Sequence, residues 1–193
     1  MSALYIFVNL ANAWVLLAVV AGAFVAQFIE GIPPCPLCMF QRCAMLLAVL
    51  GPCSILIAAR REGLTPRAIG TGAGIAILAS LLGMAIAVRQ ILLHILPGDP
   101  GYGSAVFGLH LYTWAGVVFF CNILAASFQL LGLHWYSAST PPPARVPGAG
   151  MTAAGITAAG LATLLVLNIL SVIAESGFAW ALPSDPTGYL LFH

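Results

Sequence analysis

Five stretches of this chain are apolar over 21 to 26 residues each, and together they contain one formal charge. They run from Leu4 to Ile29, Met39 to Ala59, Ala68 to Val88, Leu109 to Leu133 and Met151 to Ala174. About 20 apolar residues carry a helix across a bilayer, so each stretch can span, and little remains beyond short connections and one tail. Barrel strands would instead alternate in polarity over runs of about ten residues. The sequence therefore predicts an all-α, polytopic membrane helix bundle. Composition agrees, with 62% hydrophobic and 6% charged residues against roughly 45–50% and about 25% in a soluble domain. Six arginines, no lysine and a net charge of +1 give no cationic face for phosphate contacts, which excludes nucleic acid as a partner.

The first stretch carries a small-residue run, Ala21-Gly22-Ala23, of the kind found at signal cleavage sites. No Lys or Arg precedes it, however, and its apolar run exceeds the roughly 7–15 residues of a signal core, so it is expected to stay as a span. Arginine counting orients the chain. With the N-terminus cytoplasmic, the inner loops hold Arg60, Arg61, Arg67 and Arg145, while the outer segments hold Arg89 with Glu30, Asp99, Glu175 and Asp185. The C-terminus is then outside. A linker over 136–150, Pro-rich at Pro141-Pro142-Pro143, resists helix formation. It separates a four-span unit, 1–135, from a fifth span, 151–174, and an outer tail, 175–193, whose aromatics suit the headgroup layer. Small residues at Ala154, Ala158 and Ala162, and at Gly70, Gly74, Ala79, Gly83 and Ala87, predict close helix contacts. Those contacts are expected inside one bundle, with other membrane subunits as the alternative.

One constellation carries chemistry. Cys35-Pro36-Leu37-Cys38 stands at the outer mouth of the second span. Proline at the first helical position is preorganised for a helix start, which puts Cys35 near the N-cap and Cys38 in the first turn. Helix N-termini and nearby cations favour the reactive thiolate. Arg42 follows Cys38 by four residues, on nearly the same helical face. A charge inside a span costs about 2.5–3.5 kcal/mol at the bilayer centre on insertion scales and marks function by default. Here a guanidinium can stabilise a thiolate or hold the carbonyl oxygen of a quinone during reduction. Cys53 lies about 22 Å deeper than Cys38, and Cys121 about 18 Å down its own span, both beyond the 4.4–6.8 Å that a disulfide bridges. Cys43 is turned away from Cys38 and reads as core. A haem site would need His after the second Cys, where Met39 stands.

The run Cys35-Pro36-Leu37-Cys38-Met39-Phe40-Gln41-Arg42-Cys43 resembles the signature of the disulfide bond formation protein B (DsbB) family. The likeness continues through Arg89 to Pro97 and Gly108 to Trp114, covering roughly residues 1 to 135. It implies a four-helix bacterial inner-membrane thiol:quinone oxidoreductase whose CxxC pair is reoxidised by ubiquinone or menaquinone, bound non-covalently or as a transient thiolate adduct. It further implies that Cys35 and Cys38 are the quinone-linked pair, that Arg42 contacts quinone, and that a periplasmic thioredoxin-like dithiol protein supplies electrons. Arg89, His94 and His110 are candidates for the quinone's protons or its second carbonyl. Two departures stand out. Residues 89 to 108 lack the second cysteine pair usual in the family, and a fifth span is added. A single-pair mechanism remains, in which an incoming thiolate attacks Cys35, expected to be the more exposed sulfur, and Cys38 faces quinone. The rival readings are a structural or assembly subunit that kept the bundle, a metal-handling protein using Cys35, Cys38 and His94 or His110, and quinone binding without thiol chemistry. No metal is expected.

Overall fold

A computed structural model describes residues 2–29, 31, 33–103, 105–139, 148–177 and 188–192. Among them are five helices long and apolar enough to cross a membrane: α1 (Ser2–Phe28), α2 (Pro36–Arg61), α3 (Pro66–Leu93), α4 (Leu111–Ser139) and α5 (Gly148–Ser176). The expected helical membrane bundle is what forms. Two starts follow directly from sequence. Pro36 and Pro66 open α2 and α3 behind Cys35 and Thr65, whose side chains accept from the Cys38 and Ala68 backbone N–H groups. Each cap satisfies an amide that the helix leaves orphaned. At the other end of α2, Arg60 and Arg61 occupy the last turn, where the helix dipole favours cations. The helices reach further than the apolar runs, so α4 and α5 enter both ends of the expected 136–150 linker. Its Pro141-Pro142-Pro143 segment lies outside the described residues, as do Phe178, Trp180 and Pro183 of the tail.

The central helix is α2, with 67% of its most apolar stretch buried against 17% for α5. It packs on α1, α3 and α5, while α4 packs chiefly on α3. Small residues set the closest approach, but not all of those expected. A Cβ on Gly51 would meet Gly72 O and Ala76, and one on Gly72 would strike Ile55. A Cβ on Gly83 would enter the ring of Phe119. The buried face of α3 is thus Gly72, Ala76, Ser80, Gly83 and Ala87. Gly74 faces open space, and Gly70 meets only Leu133 at 3.8 Å. What selects among the small residues is the bulk opposite them, Ile55 on α2 and Phe119 on α4.

The fifth helix packs against α2 and α1 of the same chain. Its inward stripe is Ala154, Thr157, Leu161, Leu164, Asn168, Ser171 and Glu175, alternating three and four residues apart, whereas Ala162 of the expected small-residue face is exposed and Ala158 only partly buried. Glu175 was expected in the outer tail. It lies instead in the last turn of α5 and is 1% exposed, because polar groups of α1 meet it there. Beyond it, the Leu190–Phe192 turn packs back on α5.

Polar side chains tie the bundle together at depth. Tyr5 Oη donates to Gln129 O at 3.1 Å, and Asn9 Nδ2 to Gln129 Oε1 at 2.7 Å. Asn12 Nδ2 donates to Asn122 Oδ1 at 2.6 Å, and Asn122 Nδ2 to Ser80 Oγ at 2.6 Å. This series links α1 to α4 and α4 to α3, each bond worth about 0.6 kcal/mol on average in lipid.

The connection from α3 to α4 is built from turns. His94 caps α3, Asp99 Oδ1 accepts from the Gly101 amide at 2.8 Å, and β1 (Ala105–Val106) pairs antiparallel with β2 (Leu109–His110). The hairpin turns on Phe107 and Gly108, at φ 54° and 79°, a combination that two-residue hairpin turns require.

The packing makes a paired prediction. Gly83→Val should cost about 1–3 kcal/mol of bundle stability by overpacking against Phe119, whereas Gly74→Ala, facing open space, should be neutral or stabilising. Unfolding of the purified protein in mixed micelles measures both, and equal effects at the two positions would refute this packing.

Candidate functional site

The α2 N-cap brings the two thiols together. Cys35 Sγ turns back over the helix start to accept from the Cys38 amide at 3.3 Å, which leaves the two sulfurs 2.8 Å apart. Among the described residues these are the cysteines in contact with one another. Cys43 Sγ instead accepts from Asn168 Nδ2 at 3.2 Å, Cys53 is buried in the core and Cys121 is exposed. The expected order of exposure is reversed. Cys35 is 6% exposed, while Cys38 is only partly buried, because capping folds the Cys35 sulfur inward and leaves Cys38 on the wall of a cavity.

A second amide covers the pair. Gln90 Nε2 of α3 lies 3.2 Å from Cys35 Sγ and 3.4 Å from Cys38 Sγ. Gln41 Nε2 donates to Gln90 Oε1 at 2.8 Å, which turns the Gln90 N–H groups toward the sulfurs. Sequence reading missed Gln90 and chose its neighbour Arg89, which the structure places on the exposed face of α3. The available signal was an amide just past the third apolar stretch, still within helical reach of the bundle, where a polar side chain must find a partner.

Arg42 is 6% exposed and does not snorkel to the interface. Nη1 donates to Gln27 Oε1 at 2.5 Å and Nη2 to Ala23 O at 2.9 Å. The guanidinium also lies 4.9 Å from the centre of the Phe24 ring, a favourable cation–π contact where water is scarce. All three partners belong to α1. Arg42 therefore meets the requirement that a charge at this depth be hydrogen-bonded.

Cys38, Gln41, Arg42 and Gln27 share the wall of a cavity of about 430 Å³ between α1, α2, α4 and the outer connection. Tyr102, Tyr112 and Trp114 close its outer side, and Val19, Met45 and Val118 supply apolar surface. Tyr102 Oη donates to Pro33 O, which docks the connection over the cysteine segment, and Trp114 Nε1 donates to Val106 O at 2.9 Å, which ties the hairpin to α4. His94 and His110 do not line the cavity. Each stacks on Tyr112, at 5.6 Å and 5.3 Å between ring centres, so one aromatic ring separates them from it. His110 Nδ1 faces Gly103 O at 3.2 Å. His94 Nδ1 pairs with Asp99 at 3.1 Å. Among the described residues no three His, Cys, Asp or Glu side chains converge as a metal site would require.

The Gly101 amide, and secondarily His94, hold the Asp99 carboxyl below the usual carboxylate range. A depressed value means that the turn is fully supported above about pH 4, the ordinary Asp value, and loses this support as pH falls through the lower folded value. Amide exchange at Gly101 in an acid series should show protection at pH 5 that disappears at lower pH. Asp99→Ala should abolish the pH dependence, and a dependence that survived would place its origin elsewhere.

The family model for "Disulfide bond formation protein DsbB" matches residues 6–105. Two relatives carry the name disulfide bond formation protein B. The one from Chromohalobacter salexigens is 42% identical over 77 residues, 40% of this chain and 43% of its own length. The one from Hahella chejuensis is 39% identical over 79 residues, 40% of this chain and 44% of its own. The matched segment thus spans less than half of each relative. No solved structure matches. With the family model covering over half of the sequence, including the cysteine pair, Arg42 and Gln90, this chain belongs to the DsbB family.

Proposed function

We propose that this multi-pass membrane protein is a thiol:quinone oxidoreductase that takes electrons from a periplasmic thioredoxin-like dithiol protein and supports disulfide formation. One observation carries the reading: Cys38 and Arg42 open onto the same cavity of about 430 Å³, within the 300–1,000 Å³ usual for small-molecule sites. Apolar walls with the Arg42, Gln41 and Tyr102 polar groups fit a flat ring bearing opposed carbonyls. A bound ubiquinone or menaquinone would supply a two-electron, two-proton acceptor and leave as the quinol.

The chain's own residues divide the remaining work. In the oxidised protein, a partner thiolate attacks Cys35 of the Cys35–Cys38 disulfide, and the partner's second thiol resolves the mixed disulfide. The partner leaves as a disulfide, and both thiols of the pair are reduced. Because Cys35 is covered, docking of the partner must uncover it. Gln90 donates to both sulfurs and so holds the pair in place beside the cavity. Arg42 places a fixed cation beside Cys38 and the cavity, where it would stabilise negative charge on a carbonyl oxygen of a bound quinone. His94 and His110, behind Tyr112, hold that ring by stacking on it. Arg89 faces outward and is assigned no part. The connection without a second cysteine pair acts as a cover over the first, so exchange is direct and not relayed.

Arg60 and Arg61 end α2, and Arg67 lies in the first turn of α3, so the cationic end of the bundle is opposite the cysteines. This supports a bacterial inner-membrane protein with N-terminus and arginines cytoplasmic and the cysteines periplasmic.

Thiol trapping tests the reading. Reduced protein mixed anaerobically with a short-chain ubiquinone should lose its Cys35 and Cys38 thiols stoichiometrically. Arg42→Met should slow this by about 10²-fold, as loss of a donor to developing negative charge does, and Arg42→Lys should fall between. Wild-type protein whose thiols stay free with every quinone would overturn the proposal and favour a structural subunit.

A further inference from the structure

The inward stripe of α5 changes character along its length. Ala154, Thr157, Leu161 and Leu164 face the cytoplasmic half of the bundle, and Asn168, Ser171 and Glu175 face the half that carries the cysteines. We infer that Glu175 is a positioning residue for the quinone cavity: with Ser171 it fixes the amide of Gln27, and Gln27 in turn fixes the guanidinium of Arg42. The inference rests on the quinone-reducing reading above. It extends that reading to a helix beyond the residues that the family model matches.

The hydrogen bonds leave the Gln27 amide a single orientation. On one side Arg42 Nη1, which can only donate, meets Gln27 Oε1. On the other, Glu175 Oε1 accepts from Gln27 Nε2 at 3.0 Å, while the Ser171 hydroxyl, 2.8 Å from Gln27 Nε2 and 3.2 Å from Gln27 Oε1, anchors the amide without choosing its orientation. Turned over, the amide would aim N–H groups at the guanidinium and its oxygen at the carboxylate. Gln27 is 2% exposed and itself lines the cavity, so its orientation decides where Arg42 points. Tyr189 Oη, 3.2 Å from Gln27 Nε2, brings the chain beyond α5 to the same amide.

Glu175 is not there merely to satisfy itself. Its Oε2 atom is buried and has no hydrogen-bond partner among the described residues. An unpartnered carboxylate oxygen away from water is costly, and an apolar residue of similar volume would remove that cost. What such a residue could not do is hold Gln27 or set a negative charge opposite Arg42 across it.

Full-length protein with Glu175→Leu, Glu175→Gln and Ser171→Ala provides the test. The readouts are equilibrium binding of a short-chain ubiquinone, the rate at which dithiothreitol reduces the Cys35–Cys38 disulfide, and unfolding in micelles. Glu175→Leu should weaken quinone binding about tenfold or more through misplacement of Arg42. Glu175→Gln, which still offers an acceptor, should stay within about threefold, with Ser171→Ala between the two. Disulfide reduction by dithiothreitol and unfolding should be unchanged in all three. Wild-type binding of quinone with undiminished binding by Glu175→Leu would overturn this inference alone. Parallel losses in binding, thiol exchange and stability would also overturn it, by reducing Glu175 to a structural residue. Absence of quinone binding by the wild type would instead remove the functional reading on which it rests.

Discussion

The site is organised around a cation at a depth where water is scarce. Arg42 is buried beside Cys38, and a guanidinium in that position must be hydrogen-bonded or the bundle loses several kcal/mol. Its partners determine which helices meet. Gln27, Ala23 and Phe24 draw α1 against α2. Gln27 also meets Ser171 and Glu175 at the end of α5. The cavity beside the cysteines is the space these constraints leave among α1, α2, α4 and the outer connection. A change at Arg42 therefore alters both a chemical group and the junction of three helices.

The thiol pair is held by a different and shorter-range device. A proline-opened helix fixes Cys35 as its cap, and one turn of helix brings Cys38 to it. Gln90 then reaches over from α3, kept in orientation by Gln41. Two amides flank the site: Gln27 is fixed at the guanidinium by Arg42, which can only donate, and Gln90 is held at the sulfurs by Gln41. In a medium that offers no alternative partners, such fixed dipoles set the electrostatics of the site before any ligand arrives. The outer connection closes the arrangement through Tyr102 and Trp114 without contributing a thiol.

Several features were legible because they depend on residues close in sequence. Span number follows from apolar length, the two helix starts from Pro36 and Pro66, and the facing of Cys38 and Arg42 from their four-residue spacing. Features that depend on a neighbour in space were misread or missed. Arg89 was chosen for its charge, yet the α3 face toward the cysteines carries Gln90. Gly70, Gly74 and Gly83 all fit a small-residue pattern, yet of these only Gly83 meets bulk, at Phe119, while Ile55 selects Gly72. Glu175 looked like a solvated acid after the last apolar residue, since nothing near it in sequence announces Gln27.

The sequence by itself determined that this is a bundle of lipid-spanning helices with one closely spaced cysteine pair at a helix start and one cation a turn below it. Those properties follow from hydropathy, backbone restriction and helical periodicity, which act within a few residues. Tertiary structure alone decided which sulfur faces the cavity, which amides orient the thiols and the guanidinium, and that the fifth helix joins the site. The physical reason is that in lipid a polar side chain is satisfied only by another polar side chain, and which one it meets depends on how the helices pack.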